Sequence, residues 1–420
     1  MGILLPYGQK SQAFERPAQK HTKYGNGYGK YDIAFRKLLP AGWQMKVTIH
    51  KLFDYLLETT AAEPPECFIG FSLARSPRLK DFLPDLDPEL SLDWNGRSFP
   101  GLPELRQRVL DQAGLALHPD CVLITAGASE ANYLLFRQIL QAGEEIVTEA
   151  PGWPQAGVMA KAIGAALVEV PRDEARGWWL DPEAVARAIT PKTRMIFLTN
   201  PNNPTGRLIA EDELRRLAAL ADRHRIWLVV DEVYAGLEWV GPRPPSVSGL
   251  TPFGITTGSV SKALGLQGLR TGWLICQNAG VIREAMILRE NASEIMNTLG
   301  EHIAEVALRP NRLANALGLA RAEGRATLDR LDRHVAEEPR LSWHRPEAGL
   351  IGLARVQGIS GEALARALLE PPWRTFLLPG SAYGQPEHVR LGVGGGPEAR
   401  MEEGLRRLRH FLAGYDSATL

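Results

Sequence analysis

The sequence predicts an α/β protein: a large unit on a mostly parallel mixed sheet, joined to a smaller α+β unit. Three observations predict it. Between about residues 122 and 276, short apolar runs alternate with amphipathic stretches, the rhythm of strands joined by covering helices. After residue 340 this gives way to four strand-like runs and two helical ones. The composition, 45% hydrophobic and 23% charged over 420 residues, suits a globular chain of two or three units.

VLIT (122–125) is the first strand, and a helix runs from Ser129 to about Leu140. EEIVTEA (144–150) follows, then a helix over roughly 154–163. ALVEV (166–170), RMIFLTN (194–200) and IWLVVDEV (226–233) are apolar enough for buried strands. AEDELRRLAALADRHR (210–225) has apolar residues at 214, 217, 218, 220 and 221, one helix face. GWLIC (272–276) is a further strand, and 279–338 reads as helical with few breakers. LSWHRP, GLIGLARV, TFLLPG and HVRLGV then read as strands, with EALARALL and PEARMEEGLRRLRHFL as helices. The expected division is a large domain at 91–317 and a small one combining 46–90 with 318–420. Residues 1–45 read as an N-terminal arm or extension, rich in Gly, Tyr and Lys at 20–32. A helical pattern opens at Met45, with Ile49, Leu52, Phe53, Leu56 and Leu57 on one face.

Lys plus Arg and Asp plus Glu number 48 each, so the net charge is zero, which argues against a nucleic-acid partner. No apolar run reaches the roughly 18 residues of a membrane span. Cys67, Cys121 and Cys276 show no metal-binding spacing, and their odd number argues against a disulfide framework. A cytoplasmic setting without a bound metal is expected. No G-x-G-x-x-G follows an early strand, so a nicotinamide dehydrogenase is disfavoured, and GVGGGP near the end lacks a following β-α-β unit.

Eleven lysines stand against 37 arginines, and after Lys192 only Lys262 remains. A lone lysine among arginines is either a stray surface residue or a place where arginine would not serve, since lysine can lose its proton; a neutral amine is what a Schiff base needs. Ser259, Ser261 and Arg270 flank Lys262, and hydroxyls with a guanidinium suit a phosphate. Pyridoxal phosphate carries both a phosphate and an aldehyde.

The segment SVSKALGLQGLRTGW resembles the S-x-S-K-x-x-x-x-x-G-x-R-x-G-W signature of fold-type I pyridoxal-phosphate enzymes, the aminotransferase class I/II family. The family's other motifs occur in order across about residues 90–400. The resemblance implies the fold-type I transferase fold, bound pyridoxal 5'-phosphate, an α-amino acid substrate and a homodimer with sites at the subunit boundary, across which the arm could reach. It implies that Lys262 forms the internal aldimine and moves the substrate's α-proton. By the same resemblance Gly127, Ala128 and Ser129 of TAGASEAN cradle the phosphate with Ser259 and Arg270. Trp153 of APGWPQ corresponds to the aromatic that stacks on the pyridine ring. Asn203 of TNPNNPTG and Tyr234 contact the ring hydroxyl. Asp231 of WLVVDEVYAGLEW pairs with the ring nitrogen, and Arg390 of HVRLGVGGGP grips the substrate carboxylate. Glu232 is expected to be structural.

The substrate rim departs from the family pattern. DWNGRSFPGLPELR (93–106) lacks the usual tyrosine before Gly101, leaving Trp94, Asn95, Arg97 or Phe99 to fill its space. The early glycine segment reads GFSLARSP (70–77), and RPEAGLIGL (345–353) lacks an aromatic. VSKALGLQGLRTGW and LPGSAYGQ are similar to capreomycidine-synthase-like enzymes, which implies an alternative to transamination: elimination and ring closure on a hydroxylated arginine-like amino acid.

Overall fold

The structure, a computed structural model, describes residues 51, 52, 55, 65–93, 98–394 and 398–415. The expected arm, most of the helical pattern from Met45, and Trp94, Asn95 and Arg97 lie outside them.

A seven-stranded mixed sheet forms the centre. Its strands in chain order are β1 (Val122–Thr125), β2 (Glu145–Ala150), β3 (Ala166–Pro171), β4 (Thr193–Thr199), β5 (Trp227–Asp231), β6 (Gly254–Ser259) and β7 (Gly272–Cys276). Their spatial order is β1-β7-β6-β5-β4-β2-β3. Only β7 runs against its neighbours. β1, β4, β6 and β7 are buried along nearly their whole lengths, as expected of strands covered on both faces.

The covering helices include α1 (Ala128–Ile139), α2 (Gln155–Ile163) and α3 (Glu211–His224). α3 buries Leu214, Leu217, Ala218 and Ala221 against the sheet residues Ile196, Leu198, Leu228 and Val230. Its first turn carries Glu211, Asp212 and Glu213, and its last Arg223 and His224, each matching the sign of the helix dipole at that end.

The stretch from 279 to 338 is helical, as expected, and divides into three helices: α4 (Ala279–Glu290), α5 (Thr298–Ala307) and α6 (Pro310–Glu337). Asn297 caps α5, accepting from the Gly300 N–H at 3.1 Å. Pro310 opens α6 at its first position, where a missing N–H costs nothing. α6 packs Leu313 and Leu317 beside the β1/β7 side of the large sheet. Further along, Leu328, Leu331 and Val335 join the core of the small sheet. One helix therefore serves both layers.

The small sheet is antiparallel and contains β8 (Leu341–Trp343), β9 (Ile351–Val356), β10 (Leu378–Pro379) and β11 (His388–Gly392), in the order β10-β11-β9-β8. The run TFLLPG divides: Thr375–Phe376 pairs in parallel with Cys67–Phe68, while Leu378–Pro379 pairs with β11. The chain changes sheets at Leu377. A helix at Gly361–Leu369 and a last helix at Glu398–Gly414 complete this unit. Among the described residues, no helix is long and apolar enough to cross a membrane, and no acid, His or Cys cluster could hold a metal ion. The three cysteines are unpaired thiols.

Candidate active site

β1, β2, β4, β5 and β6 all end at the same edge of the large sheet, because they run in parallel. Ligands bind at such an edge, and the predicted residues lie at these strand ends: Gly127 to Ser129 after β1, Trp153 after β2, Asn203 after β4, Asp231 closing β5, Ser259 closing β6 and Lys262 after it.

Gly127 caps α1 with φ of 86°, a left-handed conformation. A Cβ there would lie 2.5 Å from the Arg270 guanidinium, the movable end of a long side chain, so it is the backbone conformation that calls for glycine. Arg270 donates to the Ala126 and Gln267 carbonyls at 3.3 and 3.2 Å and stays exposed. Ala128 is buried and Ser129 exposed at the first turn of α1, where free N–H groups and the helix dipole favour an anion. Ser259 is buried, its Oγ accepting from the Ser261 N–H at 3.2 Å.

Asp231 is 5% exposed. Burial pushes its carboxyl up to about 6, against hydrogen bonds from Asn132 and the Val233 N–H that favour the charged form. Those bonds are 2.8 and 3.0 Å long. Asn132 is held in turn by the Thr257 hydroxyl at 2.8 Å and contacts Gln155 Oε1 at 3.4 Å. Gln155 also accepts from the Trp153 indole at 3.2 Å and donates to the Ser129 carbonyl at 2.8 Å. A single amide thus connects the acid's support, the indole and the helix mouth. Glu232 turns away, pairing with Arg243 and Ser246 at 2.8 and 2.7 Å.

Asn203 stands in a turn braced from below. The buried Glu149 pairs with Arg172 and accepts from the Thr199 N–H and hydroxyl at 2.8 and 2.6 Å. Asn202 accepts from the Thr205 N–H and hydroxyl at 3.1 and 2.6 Å. Asn203 Oδ1 then receives Arg390 Nη1 at 3.3 Å.

Arg390 is 5% exposed. Its guanidinium donates to the Tyr383 hydroxyl at 2.7 Å, to Asn203, and to the Gly70 carbonyl at 3.0 Å, while Nε has no partner among the described residues. Burial pushes the Tyr383 phenol up to about 12, against the pull of Arg390, so it stays neutral. The described partners of this buried cation are therefore all uncharged.

Lys262 is half-buried. Its Nζ donates to Ser72 Oγ at 3.4 Å and lies 5.9 Å from the Tyr234 ring centroid. The Tyr234 hydroxyl reaches the same Ser72 oxygen at 3.0 Å.

Four participants escaped the sequence reading: Ser72, Asn132, Gln155 and Tyr383. Asn132 left a signal as a polar residue in the buried stripe of Ala131, Leu134 and Leu135 on α1. The other three sit inside quoted motifs without a distinguishing pattern.

This geometry has relatives. Residues 95–408 match the aminotransferase class I and II family. The probable aspartate/prephenate aminotransferase of Thermus aquaticus is 30% identical over 320 residues, covering 74% of this chain and 82% of that protein. The arginine–pyruvate transaminase of Pseudomonas aeruginosa is 29% identical over 321 residues, 73% of this chain and 80% of its own. A Thermus thermophilus aspartate aminotransferase variant superposes with a TM-score of 0.74 at 26% identity, covering 84% of this chain and 98% of that one. The chain belongs to the class I and II aminotransferases and is a pyridoxal-phosphate-dependent aminotransferase. The capreomycidine-synthase likeness finds no counterpart among these relatives.

Proposed function

We propose that this protein transfers the amino group of an α-amino acid, with pyridoxal 5'-phosphate held at the edge described above and Arg390 binding the substrate carboxylate. One observation carries the proposal. The edge holds a buried carboxyl whose described partners are neutral N–H donors, and a buried guanidinium whose described partners are neutral acceptors. A buried charge without a counter-charge is expensive. Asp231 suits a protonated ring nitrogen, and Arg390 suits a carboxylate.

The remaining groups fit the cofactor's shape. Gly127, Ala128 and Ser129 offer N–H groups at a helix start, with the Arg270 guanidinium against Gly127 and Ser259 nearby in sequence to Lys262. Trp153 would cover the ring face, and Asn203 and Tyr234 would meet its hydroxyl. When bound, the cofactor supplies an electron sink for charge developing at the substrate's α-carbon.

The protein does the rest. Lys262 Nζ would hold the cofactor covalently until substrate arrives, then take the proton from the α-carbon. Asp231 keeps its charge opposite the ring nitrogen, steadied by Asn132 and the Val233 N–H. Arg390 orients the carboxylate and thereby the bond to be broken. Tyr383, kept neutral, braces that guanidinium without competing for it. By the same reading the working unit is a homodimer, and the large and small domains divide within α6.

A panel of amino acids and keto acids tests this. Amino-group transfer to an added keto acid is expected, and Lys262→Ala should lose both the yellow absorbance and turnover. A dehydrated or cyclised product without transfer, or an active Lys262→Ala protein, overturns it.

A further inference from the structure

The segment 70–74 does more than fill space. It crosses the site as a strap. The Gly70 carbonyl receives Arg390 Nη2 at 3.0 Å. Ser72 forms a parallel bridge with Gly394, two residues past the strand that carries Arg390. The Ala74 N–H donates to the Lys262 carbonyl at 3.2 Å. The strap is thus fastened to both the guanidinium and the lysine loop.

Between those fastenings stands Ser72, 4% exposed. Its Oγ accepts from Lys262 Nζ at 3.4 Å and from the Tyr234 hydroxyl at 3.0 Å. A hydroxyl has two acceptor sites and one donor, so this arrangement occupies both acceptors. Asp231, at the end of a neighbouring strand, interacts electrostatically with Lys262.

We infer that Ser72 is a positioning residue for the reacting amine. Its hydroxyl gathers the Lys262 amine and the Tyr234 phenol at one point, and the strap sets that point relative to Arg390. The amine that must reach the α-proton is thereby kept in register with the carboxylate grip. The inference rests on Lys262 being the amine that moves the proton. A flexible lysine side chain has many rotamers, and misplacing a catalytic group by about 1 Å can cost on the order of 100-fold.

The test uses the full-length cofactor-loaded protein as Ser72→Ala, Ser72→Gly and Ser72→Thr, each with a thermal melt within a few degrees of the parent. Alanine and glycine should lower kcat about 30-fold with KM changed less than about threefold, because orientation rather than substrate binding is lost. The isotope effect with α-deuterated substrate should rise, since proton transfer becomes slower than the other steps. Threonine, which keeps the hydroxyl, should restore kcat to within about fivefold of the parent, the effect of one weakened hydrogen bond. In cofactor-free protein, an amine-reactive label followed by peptide mass should modify Lys262 about fivefold faster in Ser72→Ala, the amine having lost its hydrogen-bond partner. Parental kcat, isotope effect and labelling in both the alanine and glycine variants overturn the inference. A Lys262→Ala control separates the two claims: an inactive control with a parental Ser72→Ala removes only the role of Ser72, whereas an active control removes the functional reading beneath it.

Discussion

Asp231→Asn, made in the cofactor-free protein, should raise stability at neutral pH while abolishing function. The buried carboxyl moves from its ordinary 3.8 to about 6, chiefly through burial, with the bonds from Asn132 and Val233 opposing the shift. An acid whose folded value lies above its unfolded one holds an extra proton when folded. Its folded state is therefore favoured at low pH, and that advantage is lost as pH rises from about 4 through about 6. A difference of about two pH units corresponds to about 3 kcal/mol, at about 1.4 kcal/mol per unit. Asparagine cannot ionise and avoids this loss. Its amide offers one acceptor oxygen where the carboxylate offers two, so one of the two donors goes unmet, costing about 1 kcal/mol. The variant should be about 2 kcal/mol more stable than the parent at pH 7.5 and within about 1 kcal/mol of it near pH 4. Urea unfolding at the two pH values measures both. A variant no more stable than the parent at pH 7.5 would refute the claim that burial of Asp231 outweighs its hydrogen bonds and the attraction of Lys262. Adding pyridoxal phosphate should reverse the ranking, because only the aspartate then has a cation to meet.

Arg390→Ala should raise KM for the amino acid by at least about 30-fold, the scale for truncating a buried charged partner, whereas unchanged KM would remove Arg390 from the substrate. Tyr383→Phe deletes the shortest bond to that guanidinium and should raise KM about fivefold with little change in cofactor affinity. Gly127→Ala places a methyl 2.5 Å from Arg270 at a φ of 86°, so cofactor affinity should fall about tenfold, from roughly 1–3 kcal/mol of backbone strain and displacement. Equilibrium dialysis with pyridoxal phosphate checks it, and parental affinity would count against the phosphate cup.

Much was legible in the chain because short-range chemistry leaves local marks. The solitary Lys262 among arginines, the acid ending a run of buried apolar residues at Asp231, and the strand-to-helix turn at Gly127 can each be read without knowing a neighbour. Strand positions were legible for the same reason: VLIT and WLVVD are nearly apolar runs of strand length, and EEIVTEA carries a short apolar centre. Helix breaks between 279 and 338 were not, because one capping asparagine and one proline are weak marks inside a long helical composition. TFLLPG was read as one strand because its sheet change depends on distant partners, Cys67–Phe68 on one side and β11 on the other.

Residues separated by more than a hundred positions meet at this site only through the fold. Ser72 reaches Lys262 across 190 residues, and Arg390 reaches Asn203 across 187. Sequence determined which groups could do chemistry here, because that depends on side-chain type and immediate context. Tertiary structure decided which of them share a hydrogen bond, since strand order and the route of the strap bring them together and no local pattern encodes either.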